Sequence, residues 1–145
     1  MQTIASLSLI PGPDTVAQGL AWLQSLAAQQ QWPPKTSFKL ELCLDEALTN
    51  VMLYGLKDRE NEPASLIELE VLQNGDALLI DIIDNGRPFD PTLEELSPLA
   101  TSLDEAVIGG HGLRLMRHYL KDIQYHRTEE HNHLRLIAAL DANDH

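Results

Sequence analysis

The sequence predicts an α+β fold, a two-layer sandwich in which a mixed, mostly antiparallel sheet carries helices on one face. One observation behind this prediction is Asn74-Gly75 between two apolar runs, the strongest short signal for a β-hairpin. A second is helical periodicity on both sides of Pro33-Pro34, and a third is another hairpin pattern after Leu120. Residues 1–145 are therefore expected to form a single domain.

Apolar spacing identifies each predicted element, and proline and glycine residues separate the elements. In order they are a strand from Thr3 to Ile10, a helix capped by Asp14 that runs to about Gln30, a helix from Pro33-Pro34 to Gly55, strands from Ser65 to Gln73 and from Ala77 to Asp84, a helix from Gly112 to about Leu120, and a hairpin that pairs Asp122 to Arg127 with His133 to Leu140. Trp22, Trp32 and Phe38 are expected in the core or at helix edges.

Glu46 and Asn50 lie about one turn apart on the second predicted helix and therefore share a face. A hard cation such as Mg²⁺ prefers oxygen ligands and is commonly held by one or two protein oxygens together with phosphates and waters. The side-chain oxygen of Asn50 suits that role, and the carboxylate of Glu46 suits a general base. An ordinary solvated polar pair explains the same spacing and is the favoured interpretation of this helix taken alone.

Asp84 stands at the end of a predicted buried strand, directly before Asn85-Gly86. A carboxylate at this position can accept a hydrogen bond from the exocyclic amine of adenine, because the glycine lets another molecule approach the backbone. Asp-Asn-Gly sequences also form simple capped turns. The two interpretations have equal weight for this segment alone.

A glycine-rich segment, Gly109-Gly110-His111-Gly112, opens the third predicted helix. Free backbone N–H groups and the positive end of a helix favour an anion at such a segment. A flexible connection gives the same pattern. The order of the three segments, first a carboxamide on a helix, then an Asp-Gly strand end and then a glycine-rich helix start, is more specific than any one of them. It indicates a site for a nucleotide and its magnesium ion.

These segments resemble the sequence boxes of the histidine-kinase-like ATPases, the group shared by gyrase, histidine kinases and MutL. Glu46-Ala47-Leu48-Thr49-Asn50 resembles the N box, the run from Asp84 to Pro91 the G1 box, and the run from Gly110 to Met116 the G2 box. The Phe-Asp-Pro ending of the G1 box favours the small serine-protein kinases that act as anti-sigma factors, of the RsbW and SpoIIAB type. The resemblance implies a Bergerat ATP-binding fold for the whole chain.

The resemblance also implies ATP and Mg²⁺ as cofactors and a role for each matching residue. Glu46 would be the catalytic base that accepts a proton from a substrate serine, Asn50 would coordinate Mg²⁺, and Asp84 would hold the adenine amine. The other nucleotide-binding positions that it implies are Gly86, Phe89, Gly110, His111, Gly112 and Leu113. Phosphoryl transfer suits such a site, because the protein mainly positions groups and neutralises charge.

The segment between Pro91 and Gly109, expected to form a lid, departs from the pattern of these kinases. Its charged residues are all acidic: Glu94, Glu95, Asp104 and Glu105. A kinase lid is expected to offer a cation to the terminal phosphate, and Ile108 stands where one would be placed. Arg114, Arg117 or an arginine of another protein could substitute. The sequence therefore supports ATP binding better than phosphate transfer.

A net charge of −12 argues against nucleic acid and anionic membranes as the main partners, because both bind basic surfaces. An acidic chain can instead attract a basic protein surface. The single Cys43 allows no internal disulfide and is expected in the core. The chain has no charged leader and no apolar run of membrane-spanning length, so it is expected to be cytoplasmic.

The last predicted hairpin contains three histidines, His126, His131 and His133. The residues Glu129-Glu130-His131-Asn132 are expected to form its solvated turn. A metal site here is the less favoured interpretation, because no further ligand is evident.

The predicted function is that of an ATP-binding anti-sigma factor and serine-protein kinase. It would bind a sigma factor or an equivalent regulator and phosphorylate a serine on an anti-anti-sigma antagonist of the STAS type. The alternative is a non-catalytic module that uses ATP to order its lid and create a docking surface. A detached histidine-kinase catalytic domain is less favoured, because no upstream helix with a phosphoacceptor histidine is present. The family pattern also implies a possible homodimer through the first strand or first helix.

Overall fold

A computed structural model of the protein describes residues 1–56, 65–93 and 110–140. Its elements are β1 (Gln2–Leu9), α1 (Thr15–Gln30), α2 (Pro34–Asn50), a π-helical turn (Val51–Gly55), β2 (Ile67–Asn74), β3 (Ala77–Asp84), a 3-10 turn (Pro91–Leu93), α3 (Gly110–Tyr119), β4 (Asp122–Arg127) and β5 (Asn132–Ala139). The strands form one sheet in the order β1-β2-β3-β5-β4. The predicted α+β architecture is confirmed.

The expected mixed sheet is wrong, because every strand pair in the described residues is antiparallel. Hairpins join β2 to β3 and β4 to β5, and a hairpin can only produce antiparallel neighbours. The chain also enters β5 antiparallel to β3, with Asp84 opposite Asn132. This pairing brings the end of β3 beside the start of β5.

The core lies between one face of the sheet and the helices. Along β5 buried residues alternate with half-exposed ones, as the two-residue period of a strand requires. The buried side chains meet one stripe of each helix; fully buried examples are Leu23, Leu40, Leu44, Leu48, Leu69, Ile80, Met116 and Leu136. Burying each of these side chains contributes roughly 1.5–3 kcal/mol, so the sheet and helices stabilise each other.

The start of α1 differs from the prediction. Asp14 precedes the helix, but its side chain makes no capping hydrogen bond. The hydroxyl of Thr15 instead accepts from the Gly12 N–H at 2.7 Å and donates to the Ile10 carbonyl at 3.1 Å. Because Thr15 is buried and Asp14 is exposed, only the threonine hydroxyl requires protein partners.

The predicted packing positions fall into two groups. Trp32 and Cys43 are buried, and burial raises the pKa of the Cys43 thiol to about 12, which makes it a poor nucleophile. Phe38, in contrast, is 57% exposed and packs at a helix edge against Tyr119, with ring centroids 6.1 Å apart. Among the described residues, no helix has both the length and the apolar character needed to cross a membrane.

Candidate nucleotide site

The end of α2 and the end of β3 meet at one edge of the sheet. Helix α2 begins at Pro34, whose fixed φ suits the first helical position. After Asn50 the backbone widens into the π-helical turn, a feature found often at functional sites. The Arg87 N–H donates to the Gly55 carbonyl at 2.8 Å, so this turn is tied to the loop that follows β3.

Gly86 is the point of closest approach between the two segments. A Cβ atom at Gly86 would lie 2.1 Å from the carbonyl oxygen of Gly55, a distance that two backbone segments cannot accommodate. The backbone of Gly86 is not in the left-handed region. Glycine is therefore required here by the contact rather than by the backbone angle.

Asp84 lies beneath this contact and is 3% exposed. Its Oδ1 atom accepts hydrogen bonds from the Gly86 N–H at 2.9 Å and from Asn132 Nδ2 at 3.0 Å. Burial raises the pKa of the Asp84 carboxyl above its ordinary value, and the hydrogen bonds from Asn132 and Gly86 oppose that rise. No described residue donates to the other oxygen, Oδ2, which leaves an acceptor for a ligand's N–H group.

Asn132 is a site residue that the sequence reasoning missed. It was expected in the solvated turn, but it begins β5 and is 3% exposed. Its Nδ2 also donates to the Arg87 carbonyl at 2.8 Å, and its Oδ1 accepts from the Tyr125 hydroxyl and, at 3.3 Å, from the Phe89 N–H. The available signal was the alternation of β5, in which Asn132 has the parity of the buried position Leu134.

Two further contacts fix the loop after Asp84. Nη1 of Arg127, at the end of β4, donates to the Gly86 carbonyl at 2.8 Å. The ring of Phe89 stacks on Tyr54 of the π-helical turn, with centroids 4.9 Å apart and planes at 23°. Phe89, one of the predicted nucleotide-binding residues, therefore bridges the N-box and G1-box segments.

The cavity enclosed by these segments is small. Asn50, Asp84, Phe89, Tyr125 and Asn132 all line it, and its volume is about 10 Å³. That volume holds about one water molecule. A nucleotide base therefore needs the lining side chains to shift before it can occupy the site.

Glu46 and Asn50 approach the site from α2. Asn50 lines the same cavity as Asp84, and both Glu46 and Asn50 are partly exposed. Burial raises the pKa of the Glu46 carboxyl above its ordinary value, and the neighbouring carboxylate of Asp45 raises it further. No hydrogen bond joins either side chain to another described residue. Side-chain oxygens that accept no hydrogen bond from a described residue fit a hydrated Mg²⁺ ion.

The predicted G2 box forms the start of α3. The helix begins at Gly110, before the expected start, and its first turn includes His111, Gly112 and Leu113. Free N–H groups at the start of a helix suit an anion. The segment expected to form the lid lies outside the described residues from position 94 to 109. The roles of the four G2-box positions stay predictions.

None of the three histidines lines this cavity. His126 and His133 stack with centroids 4.4 Å apart beside a cleft of about 240 Å³, while the rings of His131 and His133 are 6.2 Å apart. The residues for which coordinates are described contain no group of three side chains suited to a metal ion. The hairpin thus contributes Tyr125, Asn132 and Leu134, rather than its histidines, to the lining of the nucleotide cavity.

Comparison with known proteins decides the family. The family model described as a histidine kinase-like ATPase domain matches residues 11–138. The serine/threonine-protein kinase BtrW of Bordetella bronchiseptica is 40% identical over 133 residues, 92% of this chain and 92% of that protein. The chain belongs to the histidine kinase-like ATPase family. The predicted family is confirmed, and with it the use of ATP as the family's nucleotide.

Other relatives of this histidine kinase-like ATPase agree with the predicted branch. The serine-protein kinase RsbW of Listeria monocytogenes is 27% identical over 128 residues, 86% of this chain and 80% of that protein. An anti-sigma F factor of Anoxybacillus flavithermus is 25% identical over 103 residues, 70% of this chain and 68% of that protein. The predicted resemblance to anti-sigma serine-protein kinases is confirmed by these relatives.

Solved structures confirm the fold of this histidine kinase-like ATPase. The RsbU and RsbW domains of Rv1364c from Mycobacterium tuberculosis match with a TM-score of 0.64 at 12% identity, over 94% of this chain and 33% of that longer one. The SiaB-SiaC complex from Pseudomonas aeruginosa matches with a TM-score of 0.63 at 11% identity, over 94% of this chain and 90% of that one. At such identities the likeness concerns the fold alone.

Proposed function

We propose that this protein is an ATP-dependent serine/threonine-protein kinase that acts as an anti-sigma factor. The observation that carries the proposal is that Asn50 and Asp84, from separate sequence boxes, line one cavity in a chain 40% identical to a serine/threonine-protein kinase. The protein would bind a sigma factor or an equivalent regulator. It would phosphorylate a serine on an anti-anti-sigma antagonist of the STAS type, so that the antagonist dissociates.

In this proposal the base of ATP binds at the β3 end of the site. Asp84 Oδ2 accepts the exocyclic amine of adenine, while Asn132 and the Gly86 N–H hold Oδ1 in place. Gly86 keeps the backbone close to the π-helical turn, because a side chain there would strike Gly55. The stacked rings of Phe89 and Tyr54 would lie beside the base.

The phosphate end is built from α2 and the start of α3. Asn50 would hold Mg²⁺ through its side-chain oxygen, and the ion would neutralise phosphate charge when bound. Glu46 would accept the proton of the substrate serine. The serine oxygen would then bond to the terminal phosphorus of ATP as ADP leaves. Arg117 on α3 donates to the Thr92 carbonyl at 3.4 Å, so it connects the helix to the segment after the G1 box.

The experiment that tests the proposal combines binding and phosphate transfer. Calorimetric titration with ATP should show binding that depends on Mg²⁺, and the Asn50→Ala variant should lose that dependence. Glu46→Gln should bind ATP like the wild type but transfer phosphate to a STAS-type antagonist at least about a hundredfold more slowly. Binding without any transfer by the wild type would instead support the non-catalytic docking module. Absence of ATP binding would refute both.

Two parts of the proposal concern assembly and location. The strands β1 and β4 are the edges of the sheet, so a homodimer that extends the sheet would pair one of them. Sedimentation of a variant with proline in the middle of β1 tests the first edge.

The proposed location is the cytoplasm, where ATP and sigma factors are found, and fractionation of cells tests it.

A further inference from the structure

An open groove of about 520 Å³ lies between α1 and α2. Its apolar lining comes from Leu20 of α1 and from Pro34, Phe38 and Leu42 of α2. None of its lining residues lines the nucleotide cavity. The groove is therefore a surface separate from the candidate nucleotide site.

Phe38 is the most prominent apolar group of this groove. It is 57% exposed, and its ring contact is the edge-on one with Tyr119. Exposing a large aromatic side chain to water is unfavourable, and partly buried aromatic rings are common anchors in protein interfaces. The apolar groove beside it offers space for side chains of a partner.

Helix α1, which forms the other wall, carries no charged residue over its 16 positions. This is unusual in a chain with 22 acidic and 10 basic residues. Its exposed positions are occupied by small or neutral residues such as Ala21 and Gln24. Depletion of charge is typical of the centre of protein interfaces. Leu20 of α1 and Phe38 of α2 both line the groove, so the uncharged helix and the exposed ring belong to the same surface.

The rim of the groove on α2 is acidic. Glu41 and Asp45 line it, and the Gln24 side chain holds the Glu41 carboxylate with a hydrogen bond of 2.8 Å. Lys35, in the first turn of α2, does not line the groove. A second copy of the chain docked here would place an acidic rim against a surface of net charge −12, which is repulsive. The charge therefore favours a basic partner.

We propose that the groove between α1 and α2 binds an amphipathic helix of a partner protein, with an apolar stripe flanked by lysine or arginine. The stripe packs against Phe38 and Leu42, and the cations pair with Glu41 and Asp45. Helix-in-groove binding of this kind uses apolar anchors at successive turns. The inference rests on the proposed function only in that the protein acts by binding other proteins.

The test uses two fluorescent synthetic peptides, each roughly four helical turns long. Both carry the same leucine stripe; one has lysines beside the stripe and the other has glutamates at the same positions. Fluorescence anisotropy should show that the full-length protein binds the lysine peptide at least about tenfold more tightly. Phe38→Ser should weaken this binding at least about tenfold, and Ile10→Ser, which removes a 79% exposed apolar side chain elsewhere, should not.

Glu41→Lys provides a second variant that leaves the apolar groove intact and should reduce the preference for the lysine peptide. Equal binding of the two peptides, or full binding by Phe38→Ser, would overturn the proposal. Sedimentation that shows self-association dependent on Phe38 would also overturn it, in favour of a second copy. ATP titration of the same samples tests the ATP-dependent function separately from the peptide-binding groove. Lost peptide binding with intact ATP binding refutes the groove alone, and the reverse refutes the ATP-dependent function alone.

Discussion

At the β3 end of the candidate site, Asp84 and Asn132 are each 3% exposed and hydrogen-bonded to each other. At the α2 end, Glu46 and Asn50 are partly exposed and make no hydrogen bond with another described residue. Asp84, Asn132 and Asn50 line one cavity, yet within the described part of the chain only the β3 end has hydrogen-bond partners. The difference shows that folding of the chain arranges the β3 end of the site before any ligand binds.

Burial explains this contrast. A buried polar group without a partner costs free energy, so the groups around Asp84 have to be paired for the chain to fold. Groups at the partly exposed end are solvated, so they need no protein partner before a metal ion and phosphates bind. Substitutions at the buried end should therefore lower both stability and ATP binding. Those at the exposed end should change binding or catalysis alone.

Gly86→Ala should have the largest effect, because its methyl group would lie 2.1 Å from the Gly55 carbonyl oxygen. We expect the free energy of unfolding in urea to fall by about 3 kcal/mol, with loss of ATP binding. Gly12→Ala is the matched control, since the nearest atom to its added Cβ is 4.0 Å away. A Gly86→Ala variant as stable as this control would show that the two segments separate without cost.

Asn132→Ala should have the second-largest effect on stability, because it leaves Asp84, the Arg87 carbonyl and the Phe89 N–H without their shared partner. We expect a loss of about 2 kcal/mol in the free energy of unfolding. Tyr125→Phe removes a single hydrogen bond to the same amide and should cost about 1 kcal/mol. Equal losses in the two variants would contradict the central role of Asn132 in this network.

Asn50→Ala should leave stability nearly unchanged. Since no described residue hydrogen-bonds to the Asn50 side chain, its removal should alter the free energy of unfolding by less than about 0.5 kcal/mol. The same urea titration that measures Gly86→Ala checks this. Destabilisation as large as that of Asn132→Ala would mean that the exposed end is also part of the folded framework.

Asp45→Asn should have the smallest effect, a shift in the pH dependence of phosphate transfer. Glu46 would act as a base in its deprotonated form, so activity should rise with pH through its raised pKa, above the ordinary value of 4.5. Removing the neighbouring Asp45 carboxylate should lower that pKa and move the rise to lower pH. The shift should be less than about one pH unit, because burial, the larger cause, remains. A shift to higher pH would exclude Glu46 as the titrating base.

Local patterns in the sequence determined much of the fold and the order of the site. The strand Ala77–Asp84 and the strand Asp122–Arg127 were predicted with the bounds that the structure shows. Turn residues and short periodicities mark such boundaries, because they act over a few neighbouring positions. The same local signals placed Asn50 and Asp84, whose roles in binding stay predictions.

Tertiary structure alone decided which distant residues contact the site residues. Asn132 became a partner of Asp84 because β5 pairs with β3 in a register that sets the two residues opposite each other. Gly86 met Gly55 because α2 and β3 end at the same place. Sequence period tells which face of a strand is buried, but not which distant segment will satisfy a buried polar group. That choice depends on the packing of the whole sheet against the helices.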